Sequence, residues 1–127
     1  MRKIRSDYLL KNWKKLNISE LQAIRNKVDW HYISNNKHVI DLEFLDMFNN
    51  NVVWELISYH KLSDEIISKH FKLLSQSLVI YNNVLSEEFI LKNIDKFMEY
   101  VDLIKAYQKH IPEKTLNKIM MIKEMSR

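Results

Sequence analysis

The sequence predicts an all-α protein: short helical hairpins stacked with a repeat of 22–26 residues into a small α-solenoid or a compact helical bundle. Three observations carry this expectation. Glycine is absent and proline occurs once, at Pro112, which removes the usual materials of β-hairpins and phosphate-binding loops. No strand-like alternation of apolar and polar residues persists along the chain. And the phrase LSDEIISKHF (Leu62 to Phe71) returns as LSEEFILKNI (Leu85 to Ile94), identical at five positions of ten.

The repeated phrase has the grammar of a helix start. Ser63 and Ser86 can accept from the first free amides, and Asp64-Glu65 and Glu87-Glu88 then sit where the helix dipole is positive. Ile66/Phe89 and Ile67/Ile90 are predicted to face inward. Weaker copies begin at Ile18 (ISEL), Ile40 (IDLEFL) and Ile111 (IPEKTL), with Ser19 and Asp41 as caps and Pro112 in a tolerated first-turn position. Gln22 lies three residues beyond Ser19, the spacing of a capping box. The starts at 18, 40, 62, 85 and 111 are therefore 22, 22, 23 and 26 residues apart.

A second phrase interleaves with the first. VDWHYISNNK (Val28 to Lys37) and VVWELISYHK (Val52 to Lys61) share Val, Trp, Ile, Ser and Lys at equivalent places. The steps Trp30 to Ile33 and Trp54 to Ile57 fit one helix face, so both tryptophans are expected in the core. The third copy, SLVIYNNVLS, keeps Ile80 but has Ser77 at the tryptophan position. Asn35-Asn36, Asn49-Asn50-Asn51 and Asn82-Asn83 fall at expected helix ends, where asparagine can replace glycine in a left-handed cap. Tyr100 and Tyr107, one heptad apart, suit an internal stripe.

A unit of this length cannot bury its own apolar face, and stacking on a neighbour solves that problem. The expected organisation is a single helical domain over 1–127. It divides into a basic N-terminal helix (1–17), degenerate helical repeats (18–110) and a C-terminal amphipathic capping helix (111–127). In that last helix Leu116, Ile119, Met120 and Lys123 lie along one side, with Met121 and Met125 beyond.

The W-x-x-I-S and L-S-E-E-F-I phrases resemble short helical-repeat proteins of large-genome bacteriophages and large DNA viruses, over residues 18 to 116. The resemblance implies a phage or viral origin and a helical-repeat fold. It transfers no catalytic residue.

Composition excludes several chemistries. Without cysteine there is no disulfide, thiolate metal site or cysteine nucleophile. Walker and dinucleotide fingerprints require glycine. His31, His38, His60, His70 and His110 show no metal-ligand spacing, and Ser58 or Ser63 beside His60 lacks a glycine-rich nucleophile elbow. The carboxylate pairs are explained by the helix dipole. The expectation is a protein that is not an enzyme and takes no cofactor and no metal.

Charge is unevenly spread. Residues 1–30 carry +5, residues 31–104 carry −5 and residues 105–127 carry +4, which sum to the net +4. The basic N-terminal segment, with Lys3, Arg5, Lys11, Lys14 and Lys15, offers candidate nucleic-acid contacts, although the acidic centre suits a duplex-tracking chain poorly. Tyr59, Tyr81, Met121 and Met125 are the candidate partner contacts. The favoured reading is a non-enzymatic protein-interaction module, a phage or viral accessory protein that binds and modulates or inhibits a host factor such as a defence nuclease. A nucleic-acid binder using the basic terminal helices is the alternative, and a homodimer is compatible with either. No apolar run approaches a membrane span and none follows the basic start, so the host-cell cytoplasm is the expected location, with no membrane partner.

Overall fold

The computed structural model describes residues 1–126, all helix or connecting turn, with no strand among the described residues. The chain divides into two compact units, the first being Met1–His60 and the second beginning at Lys61. In the first unit, α1 (Arg2–Asn12) ends in a 3-10 turn over Trp13–Lys15. It is followed by α2 (Ile18–Arg25), α3 (Trp30–Asn35), a 3-10 turn over Lys37–Val39, α4 (Leu42–Met47) and α5 (Trp54–Ile57). The second unit contains α6 (Asp64–His70), α7 (Gln76–Asn82), α8 (Glu87–Lys92), α9 (Ile94–Phe97), a 3-10 turn over Met98–Tyr100, α10 (Val101–Tyr107) and α11 (Glu113–Met125).

Most of these helices are too short to persist on propensity alone, so their ends must be fixed by side chains and their faces by packing. The caps read from the sequence at three starts are present. Asp41 accepts from Phe44 N at 3.1 Å, Ser63 from Ile66 N at 3.3 Å and Ser86 from Phe89 N at 3.0 Å. The start of α2 differs from expectation. Asn17, extended at φ −81° and ψ 172°, accepts from Glu20 N at 2.8 Å, and the Glu20 carboxylate accepts from Asn17 N at 3.1 Å. Ser19 already lies inside the helix, so its hydroxyl is too far along to cap it. Pro112 stands one residue before α11, at the capping position.

The fourth residue of each helix that follows such a start is buried: Leu21, Leu45, Ile67, Ile90 and Leu116. Ile66 and Phe89 are buried beside them, as their phrase predicts. Burying an aliphatic side chain of this size contributes roughly 1.5–3 kcal/mol.

The tryptophans of the second phrase are not core residues. Trp30 and Trp54 are half-buried, and each indole N–H donates at 2.9 Å to a carbonyl five residues earlier, Arg25 O and Asn49 O. Both open a helix, α3 and α5, so the ring reaches back over the preceding chain and satisfies a carbonyl that has no intrahelical partner. Ile33, Ile57, Phe44 and Phe48 fill the core instead, and the buried tryptophan is Trp13, edge-on to Phe44 at 5.3 Å. Gln76, the first residue of α7, makes a bond of the same span, its amide donating to Phe71 O at 2.8 Å.

The serine of W-x-x-I-S also has a structural reason. Ser6 and Ser34 are the fifth residues of α1 and α3, Ser58 directly follows the four-residue α5, and all three are fully buried. Ser6 Oγ donates to Arg2 O and Ser58 Oγ to Trp54 O, both at 2.7 Å. Ser6 Oγ accepts from Asp29 N, and Ser34 Oγ from Val53 N, both at 2.9 Å. In both cases the donor is the residue that precedes the first turn of a later helix, α3 or α5.

The asparagines end helices, but not through left-handed backbone: no described residue has positive φ. Asn36 and Asn83 leave their helices extended, at φ −86° and −122°, a conformation open to any residue. Asn36 caps the 3-10 turn that follows, whereas Asn83 satisfies a carbonyl of the helix it ends. Asn36 accepts from His38 N at 2.9 Å, and Asn83 donates to Val79 O at 2.9 Å while accepting from Leu62 N at 2.8 Å. Extended exits of this kind let a glycine-free chain turn.

In the second unit, Phe71 packs edge-on against Phe97 at 5.1 Å and Tyr100 at 5.9 Å, and Phe89 meets Phe97 at 5.7 Å. Tyr107 is not on an internal stripe; it is exposed and rests on Tyr81. Arg127, the last residue of the expected C-terminal helix, lies outside the described residues.

Candidate interaction surfaces

The polar residues that resemble catalytic groups are engaged in holding backbone. The Ser58 hydroxyl donates to Trp54 O, and the Ser63 hydroxyl accepts from Ile66 N. His60 Nε2 lies 2.9 Å from Ser34 O, and His110 Nε2 lies 2.6 Å from Leu85 O. A carbonyl can only accept, so both rings are assigned the Nε2–H tautomer. Asp64, Glu65, Glu87 and Glu88 are exposed in first turns, and Glu87 also accepts from Thr115 Oγ1 at 2.5 Å. Among the described residues, no three His, Asp or Glu side chains converge as a metal site, and no helix is long and apolar enough to cross a membrane.

The five basic candidates are all exposed, but they do not form one surface. Lys11 and Lys14 line a cleft of about 580 Å³ whose wall also carries Asp7, Asp41, Trp13 and His38. Arg5 borders a different hollow, with Glu20, Ile24 and Lys27. Lys3 sits over the Tyr32 ring at 5.6 Å, and Lys14 over Trp13 at 5.3 Å. Carboxylates stand among these cations, so a phosphate chain following them would meet repulsion as well as attraction.

The apolar candidates are exposed as well. Tyr59 is 59% exposed, Tyr81 63%, Met121 63% and Met125 78%. Met121 edges a shallow cleft of about 470 Å³ with Glu87, Leu91, Lys114 and Lys118, and Met125 follows one helical turn later on α11. Tyr81 meets Tyr107 at a centroid distance of 4.9 Å and an interplanar angle of 83°. Beside them Val84 is 84% exposed. Tyr107 and Val84 were not identified by sequence reasoning, because a heptad spacing made the tyrosine look internal and nothing local marks a lone valine as external.

Two buried amides build this part of the second unit. Asn83 ties the α7 end to Leu62 N as described. Gln108, directly after α10, accepts from Leu85 N at 2.8 Å and donates to both Ile80 O and Asn83 O at 2.6 Å. The Lys61 ammonium donates to Asn82 O. Residues 61–62, 80–85 and 107–110 thus form one hydrogen-bonded cluster, with Tyr81, Val84 and Tyr107 on its outside.

No protein family, no curated protein and no solved structure matches the chain.

Proposed function

We propose that this chain is a non-enzymatic protein-interaction module built from degenerate helical-hairpin repeats. The observation that carries the reading is the exposure of Tyr59 in the turn after α5, of Tyr81 on α7, whose end is pinned through Asn83 and Gln108, and of Met121 and Met125 on α11. Rigid aromatics and adaptable methionines are side chains that protein interfaces use, and pinned ends reduce the ordering cost of binding. The repeat arrangement is supported by bonds that recur at corresponding positions: the i−5 bond of Trp30 and Trp54, the serine link of Ser6 and Ser34, and the caps Asp41, Ser63 and Ser86.

The partner proposed from the phrase resemblance is a host factor, a defence nuclease being one specific version. Nucleic-acid binding through the N-terminal segment is the less favoured reading, since Asp7 and Asp41 share the cleft of Lys11 and Lys14. Affinity capture on the immobilised chain, from a nuclease-treated lysate and with raised salt in the wash, tests the reading. A defined protein should remain bound, because apolar contacts tolerate salt. Recovery that disappears with nuclease or salt would overturn it in favour of phosphate-driven binding.

A further inference from the structure

We propose that the cleft between α8 and α11 is a dimer contact, closed by the same cleft of a second copy of this chain. This goes beyond the host-factor reading and does not rest on it. It assigns Met121 to a second copy and leaves Tyr59 and Tyr81, which do not line the cleft, to another partner.

The two helices give this cleft walls of opposite sign. From α8 come Glu87 and Leu91, one turn apart, and from α11 come Lys114, Lys118 and Met121, which share a helix face at spacings of four and three. Together they line about 470 Å³. Glu87 and Leu91 also border a second hollow, with Glu88. Both glutamates and both lysines are exposed, while Leu116 and Ile119 anchor α11 in the core from its other side. Thr115 Oγ1, buried at the base of α11, donates to Glu87 at 2.5 Å and holds the acidic wall in place. Among the described residues no ion pair joins Glu87 to Lys114 or Lys118, so the charges of the two walls are not spent within one copy.

The opposed signs choose the occupant. A nucleic-acid strand would be repelled by the glutamate wall, and a protein surface of one sign by one wall or the other. A second copy related by a two-fold axis running along the cleft satisfies both walls at once, because that rotation sets the α8 wall of each copy over the α11 wall of the other. Glu87 and Glu88 of one copy then face Lys114 and Lys118 of the partner subunit, with Leu91 and Met121 of both covered between them. An axis across the cleft would set glutamate over glutamate, so the charges also fix the orientation of the pair. Met125, 78% exposed and one turn beyond Met121, extends the apolar part of the contact.

The test is sedimentation equilibrium of the full chain over a concentration series, alongside K114E/K118E, E87K/E88K and an equimolar mixture of the two. The wild type should associate reversibly to a dimer. Each variant alone gives both walls one sign, so its dimer dissociation constant should rise about tenfold or more. In the mixture an all-acidic cleft meets an all-basic one, and a heterodimer should form, which also shows that both variants are folded. K114E/K118E breaks no described hydrogen bond, so it decides the matter even if E87K/E88K, which gives up the Thr115 bond, does not fold. A wild type that stays monomeric at every concentration, self-association unchanged in K114E/K118E, or a mixture that stays monomeric while both variants melt as the wild type does would overturn the proposal. So would a host protein captured by a monomeric wild type and lost by K114E/K118E, which would assign the cleft to that protein.

Discussion

The backbone N–H of Val53 donates at 2.9 Å to the hydroxyl of Ser34, nineteen residues earlier and fully buried, so the start of α5 is held by the body of α3. Ser34→Ala would leave that amide without its acceptor. The expected loss is about 1–3 kcal/mol, the desolvation penalty of an unmade bond. Urea unfolding measures it, and a change no larger than that of a typical surface substitution would show that the link contributes little.

The capping box at α2 separates two neighbouring cap-forming residues. Asn17→Ala should destabilise by about 0.5–2 kcal/mol, while Ser19→Ala should stay within about 0.5 kcal/mol. The opposite order in denaturant midpoints would place the cap at Ser19 after all.

Trp13 and Trp54 should also differ. Trp13→Ala removes a buried ring packed on Phe44 and should cost about 3–5 kcal/mol. Trp54→Phe keeps most of the half-buried surface and loses the indole bond to Asn49 O, for about 0.5–1.5 kcal/mol. Equal costs in thermal or urea unfolding would contradict the division between core and carbonyl-satisfying tryptophans.

Tyr32 supplies a pH signature. Its hydroxyl donates to Asp7 Oδ1 at 2.6 Å, and this bond to the carboxylate, with desolvation and the Asp7 charge, raises the phenol above its ordinary value. A folded-state pKa above the unfolded one means that the contribution is complete below about pH 10 and is lost as pH rises through the folded value. Tyr32→Phe should remove this part of the alkaline loss of stability and delete a tyrosinate step above the ordinary phenol value in an absorbance titration. An unchanged alkaline profile would show that the bond is not maintained in solution.

Local grammar was legible in the sequence. Asp41, Ser63 and Ser86 cap where they should, and Ile66, Ile67, Phe89 and Ile90 are buried, because a cap and the first turn after it depend on residues three or four apart. Trp30 and Trp54 were misread because apolar spacing does not show that a helix's first residue points its ring back over the preceding turn. The asparagine ends were located but given the wrong mechanism, since Asn83 reaches Val79 O with its side-chain amide and Asn36 caps the next turn, neither through a left-handed backbone. Ser34, Asn83 and Gln108 were illegible as struts because the amides they serve lie 19, 21 and 23 residues away. Of the candidate sites, exposure was anticipated for Tyr59 and Tyr81, whereas the grouping of Tyr81 with Tyr107 required the fold.

The most direct measurement is quantitative mass spectrometry of proteins captured by three baits from the same nuclease-treated lysate. The baits are the wild-type chain, a variant with Tyr59, Tyr81, Met121 and Met125 changed to serine, and a variant with Lys3, Arg5, Lys11, Lys14 and Lys15 changed to glutamine. The account predicts a protein enriched on the wild type, retained by the glutamine variant because scattered surface charges are worth little, and lost from the serine variant. Enrichment lost from the glutamine variant and kept by the serine variant would contradict it.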